Sequence, residues 1–319
     1  MVSCQSHLDK ETKIAKRKEA LDKGSGGFFL LFALLCSLSV FFIVGFIFVR
    51  GIKPFVGGYY RGEKQDISAF FTSYNWTYNG EGGMPFLLLT TIYVTALSLL
   101  FAAPIAVLGA LFIARVAPKR IRVVFQTALE ILSSIPSVIY GLFGMAVLCP
   151  LIRGLPIIGS LTSGGQSILS ASLVLALMSI PTIGLLSYNA ITDVDPSLID
   201  ASLALGASKE ETNYKVVLPS AESGIFAGII LGIGRALGEA TAVSMVIGGS
   251  SNGLFFYNPF NPGNTLTSAM LGGMSEAVVD SLGYDIRFSL GLVLILLILA
   301  ITLSLNSFKR RRERKRRGG

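Results

Sequence analysis

Six long runs of apolar residues alternate with segments where charged and turn-forming residues gather. They cover about 28–49, 86–114, 125–148, 168–190, 224–249 and 282–307. Each exceeds the roughly 20 helical residues that cross ~30 Å of hydrocarbon. The pattern predicts an all-α membrane protein with six transmembrane helices and no soluble domain. It divides the chain into a basic tail at 1–27, a six-helix domain at 28–307 and a second basic tail at 308–319. The first run is too long, too aromatic and too far from the start for a cleaved signal peptide.

Punctuation within the runs adds detail. Gly24-Ser-Gly-Gly27 reads as a flexible joint ahead of the first helix. That helix, rich in Phe and Leu and free of charge, reads as lipid-facing. Pro104, Pro136 and Pro181 fall inside the second, third and fourth runs, where each removes a helix hydrogen bond and bends or breaks the helix. Backbone groups freed at membrane depth must be satisfied by protein, hydroxyls or water. Ser133, Ser134 and Ser137 flank Pro136, as a polar pathway would need. Glu130 stands early in the third run as an interfacial charge or a partner for Arg120 or Arg122. The 50–85 loop carries Tyr59, Tyr60, Phe70, Phe71, Tyr74, Trp76 and Tyr78, an interfacial aromatic belt or part of a docking surface. In the last loop, turn signals at Asn252-Gly253, Tyr257-Asn-Pro259 and Asn261-Pro-Gly-Asn264 precede a short helix predicted over 265–279, on or partly in the outer face.

Composition agrees: 52% of the 319 residues are hydrophobic and 14% charged. The net charge of +8 is no nucleic-acid signature once it is mapped. Twenty of the 27 Lys and Arg lie in the two tails and the 115–125 and 191–223 loops, six on the opposite side, and Arg235 inside a span. The positive-inside rule then places both termini in the cytoplasm. The tail beginning at Lys309 reads as an orientation anchor in contact with lipid headgroups. Cys4, Cys36 and Cys149 sit at different depths and make no disulfide framework. The one histidine, His7, lies in a tail, so no histidine-based metal or acid–base site is expected within the membrane. A phosphate-binding Gly-x-x-x-x-Gly-Lys-Ser/Thr loop is absent, so the chain is not itself an ATPase.

The stretch Gly232-Ile-Gly-Arg-Ala-Leu-Gly-Glu-Ala-Thr241 stands out. Arg235 and Glu239 are the only charges in the fifth run. At i,i+4 on one helix they share a face and can pair. Ionisable groups at membrane depth usually face a partner, a bundle interior or a watery path. Gly232, Gly234 and Gly238 leave room beside them. One reading is an internal ion pair that holds helices together. The other is an anion path, since Arg offers planar bidentate donors to oxyanions. Ser134, Ser137 and Thr241 join Arg235 and Glu239 as candidate pathway residues.

The 191–223 loop is built, not merely connecting. Asp195-Pro196 starts a helix over 197–205 that ends at Gly206 in the C-terminal glycine position. Ser208-Lys-Glu-Glu211 is a capping box for a second short helix, which stops before Pro219. Asp200-Ala-Ser-Leu-Ala-Leu-Gly206, nine residues, then Val216-Val-Leu-Pro219 resembles the EAA motif of ABC importer permeases. The spacing matches throughout; Asp200, Ser202 and Val216 stand where that family has Glu, Ala and Ile. Gly234-Arg-Ala-Leu-Gly-Glu-Ala-Thr-Ala-Val243 and Ser134-Ile-Pro-Ser-Val-Ile-Tyr-Gly141 are similar to phosphate-importer permeases, closer to the PstC type than to PstA.

The resemblance implies a type I ABC importer permease architecture with a cytoplasmic coupling-helix loop. Asp200, Ala201, Ser202, Gly206, Leu218 and Pro219 would meet the ATPase. It implies a second, PstA-like permease subunit, two ATPase subunits carrying ATP and magnesium, and an external phosphate-binding protein. This chain would hold no cofactor of its own. Transport would proceed by alternating access, with Arg235 holding the oxyanion transiently and Glu239 orienting it. A permease for molybdate or sulfate, or a non-transporting membrane scaffold or sensor, are the alternatives. An intramembrane enzyme is weaker, because no nucleophile–His pair exists.

Overall fold

The structure, a computed structural model, describes residues 2–56, 65–76, 82–156, 158–250 and 258–317. Tyr59, Tyr60, Tyr78 and the Asn252-Gly253 turn lie outside the described residues. The chain separates into two units, Met1–Arg50 and Gly51–Gly319.

The first unit is almost entirely helix α1 (Val2–Ile52). The expected joint at 24–27 is absent, and the helix runs through it. Glycine costs only about 1 kcal/mol per helical position, and the Ala, Leu, Lys and Glu residues before it are strong helix formers. The apolar stretch of α1 leaves Phe28, Phe29, Phe41 and Phe42 exposed, as a lipid-facing helix requires.

The second unit is a bundle. It begins with α2 (Ile67–Thr72), α3 (Pro85–Leu111), α4 (Lys119–Ser134) and α5 (Ser137–Phe143). Then come α6 (Cys149–Arg153), α7 (Ile158–Leu161) and α8 (Ile168–Thr192). The loop helices α9 (Pro196–Ala204), α10 (Lys209–Thr212) and α11 (Leu218–Ser220) follow. Last are α12 (Glu222–Gly238), α13 (Thr241–Val246), α14 (Leu266–Leu271) and α15 (Leu282–Arg317). Five-residue π-helical turns join α3 to the α4 loop at Phe112–Val116, α5 to α6 at Gly144–Leu148, and α10 to α11 at Asn213–Val217.

Four helical stretches are long and apolar enough to cross a membrane unbroken: Ser25–Phe55, Pro85–Val116, Ile168–Thr192 and Leu282–Arg312. Two further segments qualify only as bent pairs. Lys119–Ser134 and Ser137–Arg153 meet at 96°, and Lys209–Ser220 and Glu222–Gly238 at 65°. The first pair covers the third predicted run. Of the second, only Glu222–Gly238 falls in the fifth predicted run, its other arm belonging to the 191–223 loop. Of the three intramembrane prolines only Pro136 stands at a break. Pro104 and Pro181 lie inside helices that continue through them.

Helix α8 is the hub, packing on α3, α12, α4, α5 and α13. Two-thirds of its apolar window is buried, 67%. Ala171, Ser172, Ala176, Ser179 and Gly184 keep its surface low, so neighbouring backbones approach closely and van der Waals contact replaces the hydrophobic drive that lipid cannot supply. Gly144 shows how tight the fit is. A Cβ there would meet Val174 Cγ2 at 2.5 Å and Val246 Cγ1 at 2.8 Å.

One further expectation changes, and two other segments gain contacts that the sequence did not predict. The 265–279 helix shortens to α14, whose Leu266, Thr267, Ser268 and Ala269 are buried within the bundle. The Leu266 amide donates to Thr91 Oγ1 of α3 at 3.0 Å, which pulls the segment inward from the surface. Glu130 accepts from Gln126 Nε2, while Arg122 turns away to the Ile113 carbonyl. The basic tail continues α15, and Arg312 pairs with Glu222 and stacks over Phe226 and Phe308, so this part of it is a helix-to-helix tie.

Candidate functional site at two helix breaks

The break at Pro136 is chemically closed. Proline has no N–H to give the Leu132 carbonyl four residues back. Tyr140, one turn into α5, donates its hydroxyl to that carbonyl at 2.8 Å, supplementing a long contact from the Ile135 amide at 3.4 Å. Ser133 donates to the Glu130 carbonyl and Ser134 to that of Ile131. Ser133 and Ser134 are therefore bonded within the last turn of α4, and Ser137 starts α5. Tyr140→Phe keeps the ring and removes the donor. It is expected to lower stability by about 1 kcal/mol, read as a reduced unfolding temperature of the purified subunit.

A second break lies between Arg235 and Glu239. Helix α12 ends at Gly238, and Glu239 takes an extended conformation with φ −77° and ψ 117°. The expected i,i+4 pair does not form, because the two residues no longer share one helix. Glu239 Oε1 instead accepts from the Ala242 amide at 3.0 Å and caps the start of α13. The Glu239 carbonyl accepts from Thr267 Oγ1 of α14 at 2.8 Å. A carboxylate at a helix start is a stable arrangement, since it meets unpaired amides and the positive end of the dipole.

Arg235 is half-buried and donates from Nη1 to Thr182 Oγ1 of α8 at 2.9 Å. It lines an open cleft of ≈ 580 Å³ with Thr182, Gly234, Thr302, Asn306 and Lys309. The glycines divide by role. Gly232 is filled by Ile183, which would lie 2.8 Å from its Cβ, whereas Gly234 and Gly238 face open space. The cleft offers two cations, Arg235 and Lys309, and the polar side chains of Thr182, Thr302 and Asn306. Beside them lie the apolar Ala227, Ile230 and Leu231, with no carboxylate among the lining. The cations suit an oxyanion.

Of the candidate pathway residues, the fold brings Ser137 and Thr241 to the starts of α5 and α13, two helices that pack together. Ser134 is exposed and bonded within its own turn. Arg235 sits on α12. The residues that sequence reasoning missed are Thr182, Tyr140 and Thr267. Thr182 directly follows Pro181, and a hydroxyl next to a proline in an apolar run was the available signal; nothing in the local sequence ties Thr267 to a break 28 residues earlier.

The 191–223 loop folds as its capping residues dictate. Asp195 Oδ1 accepts from the Ser197 amide at 2.9 Å. Ser208 and Glu211 exchange both bonds of a capping box. Gly206 has φ +84°, the left-handed conformation. Ser202 turns inward, its hydroxyl 3.0 Å from that of Thr212, and ties α9 to α10. Asp200, Ala201 and Gly206 are exposed with Leu205, which is 89% accessible; Leu218 and Pro219 are half-buried. The outcome is a knob with an apolar tip on a braced base.

Two caps of the knob are titratable. The Ser197 amide and hydroxyl hold Asp195 below its ordinary range, and Lys215 followed by the Ser208 amide does the same for Glu211. A lowered folded pKa adds stability above the unfolded value and loses it as pH falls through the folded one. Amide protection factors over 196–212, corrected for intrinsic exchange, are therefore expected to stay constant from pH 7 to 5 and to fall only below about pH 4.

The chain matches the family model described as "Binding-protein-dependent transport system inner membrane component" over residues 104–318. It is 36% identical over 253 residues to a probable ABC transporter permease protein, YqgH, of Bacillus subtilis (strain 168), covering 78% of each chain. It is 34% identical over 290 residues to the phosphate transport system permease protein PstC of Xylella fastidiosa (strain Temecula1), covering 85% of this chain and 86% of that one. Among solved structures, a bacterial alginate ABC transporter in complex with its pentasaccharide-bound periplasmic protein superposes with a TM-score of 0.64 at 18% identity, over 91% of this chain and 97% of that one. That likeness concerns the fold, a type I ABC importer permease.

Proposed function

Because the chain belongs to the binding-protein-dependent transport system inner membrane components, we propose that it is the permease subunit of an ATP-driven importer of inorganic phosphate. The observation that carries the substrate is Arg235, which lines an open cleft and, among the described residues, is bonded to a neutral hydroxyl. The similarity to a phosphate permease supports the same substrate. On this reading Arg235 holds the oxyanion transiently, and Ser137 and Thr241 stand at the neighbouring helix starts. Glu239 contributes by fixing the break beside Arg235. The exposed knob meets an ATPase, and a related PstA-like subunit completes the pathway. Two ATPase subunits and an external phosphate-binding protein complete the complex.

Uptake of labelled phosphate into vesicles holding the assembled complex tests this, with sulfate and molybdate as competitors. Phosphate uptake that excess sulfate or molybdate displaces equally well would refute phosphate as the particular substrate. Orientation is tested separately. With the knob and both ends in the cytoplasm, Ser73→Cys on a cysteine-free background should react with an impermeant maleimide in intact cells. Reaction only after permeabilisation would overturn the orientation and the knob's role with it.

A further inference from the structure

A second polar pocket lies away from Arg235, where the α3–α4 turn meets the knob. It measures ≈ 340 Å³ and is lined by Arg115, Arg122, Lys209, Thr192, Thr212 and Asn213 together with apolar side chains. No carboxylate is among its lining residues. Arg115 donates from Nε to Asn213 Oδ1 at 3.1 Å, and Arg122 from Nε to the Ile113 carbonyl at 3.2 Å. Those bonds engage each Nε and, among the described residues, leave the Nη groups unbonded. Among the described residues no acidic side chain pairs with Arg115, Arg122 or Lys209. Of the two carboxylates on α10, Glu211 is engaged by Lys215 and by the Ser208 amide, and Glu210 is exposed and does not line the pocket.

Three cations around one cavity repel one another unless an anion lies between them. The walls are also unusual backbone. Arg115 belongs to the π-helical turn Phe112–Val116 and Asn213 to the π-helical turn Asn213–Val217, and their side chains join across the pocket. Such turns are rare and occur frequently at functional sites. The donors come from three separate backbone segments and include two rigid forks, so they suit a tetrahedral oxyanion whose oxygens point in different directions.

We propose that this pocket binds a phosphate group and that its occupancy ties the knob to the α3–α4 turn. The group is either free inorganic phosphate or the headgroup phosphate of an anionic phospholipid. The inference does not rest on the role assigned to Arg235.

The test uses the full chain carrying Arg235→Gln, so that the cleft site is silenced. In phosphatidylcholine nanodiscs, equilibrium binding of labelled inorganic phosphate is measured. In a parallel arm, the chain in nanodiscs containing phosphatidic acid is released into native mass spectrometry and retained phosphatidic acid is counted. Free phosphate as the source gives saturable binding in the first arm; a lipid source gives retained phosphatidic acid in the second. In whichever arm responds, Arg115→Gln/Arg122→Gln and, separately, Lys209→Glu should weaken binding by about tenfold. Lys209 is exposed, so its charge reversal leaves packing intact and decides the matter if the double variant misfolds. An unchanged unfolding temperature with lost binding supports the site. Binding that Lys209→Glu leaves unchanged overturns it. So does the absence of both ligands, the result expected if a partner's acidic side chain fills the pocket instead.

Discussion

Arg235→Gln is expected to reduce phosphate uptake by roughly a hundredfold while the subunit still inserts and assembles. A hydrogen bond to a charged partner is worth up to about 3 kcal/mol, which corresponds to that factor. Removing one intramembrane charge lowers the insertion cost. The geometry sharpens the comparison with a merely structural role. Glu239 is bonded to the Ala242 amide, so the substitution strands no carboxylate. A structural ion pair would predict poor assembly in Arg235→Gln and rescue in Arg235→Gln/Glu239→Gln. The arrangement seen here predicts good assembly and no rescue. Arg235→Lys keeps the charge and loses the fork, so transport should fall substantially with assembly unchanged. Uptake restored in the double Gln variant would end the assignment of Arg235 as the substrate contact.

Gly206→Val is expected to uncouple. The residue sits at φ +84° with open space around it, so the added side chain meets no neighbour and the whole penalty is conformational. For a β-branched residue that penalty exceeds about 1 kcal/mol. The chain between α9 and α10 would relax to negative φ, which breaks the Ser202–Thr212 tie and redirects the apolar tip at Leu205. The bundle is not involved and should insert normally. Uptake should drop by about tenfold, with ATPase activity retained but no longer stimulated by loaded binding protein. Normal uptake with normal stimulation would remove the knob from the coupling path.

The long spans were legible because hydrophobic length alone sets them, and the knob because its caps are local: Asp195, Gly206, Ser208 and Glu211 each act within three residues of their partners. What escaped were features decided across the fold. The i,i+4 rule assumes an unbroken helix; Gly238 is the one local signal of the break at Glu239, which Thr267 helps to hold from helix α14. Pro104, Pro136 and Pro181 look alike in sequence, yet only Pro136 breaks its helix. There the hydroxyls of Ser134 and Tyr140 take up the freed carbonyls of Ile131 and Leu132. The 24–27 segment failed in the opposite sense, since a loop composition was overridden by its helical flanks.

The two breaks also set how stiff the bundle is. Bending an intact helix ruptures ladder bonds along a whole turn. At Pro136 and at Glu239 those bonds are already absent; the Tyr140 hydroxyl closes one joint, and the Thr267 hydroxyl with the Glu239 carboxylate closes the other. A neutral hydrogen bond of this kind contributes about 1 kcal/mol net, within twice the thermal energy. The half-helices flanking each joint can therefore pivot as rigid rods without unwinding. Compliance is concentrated beside Arg235, while the α3–α8 pair supplies the fixed frame against which those rods turn.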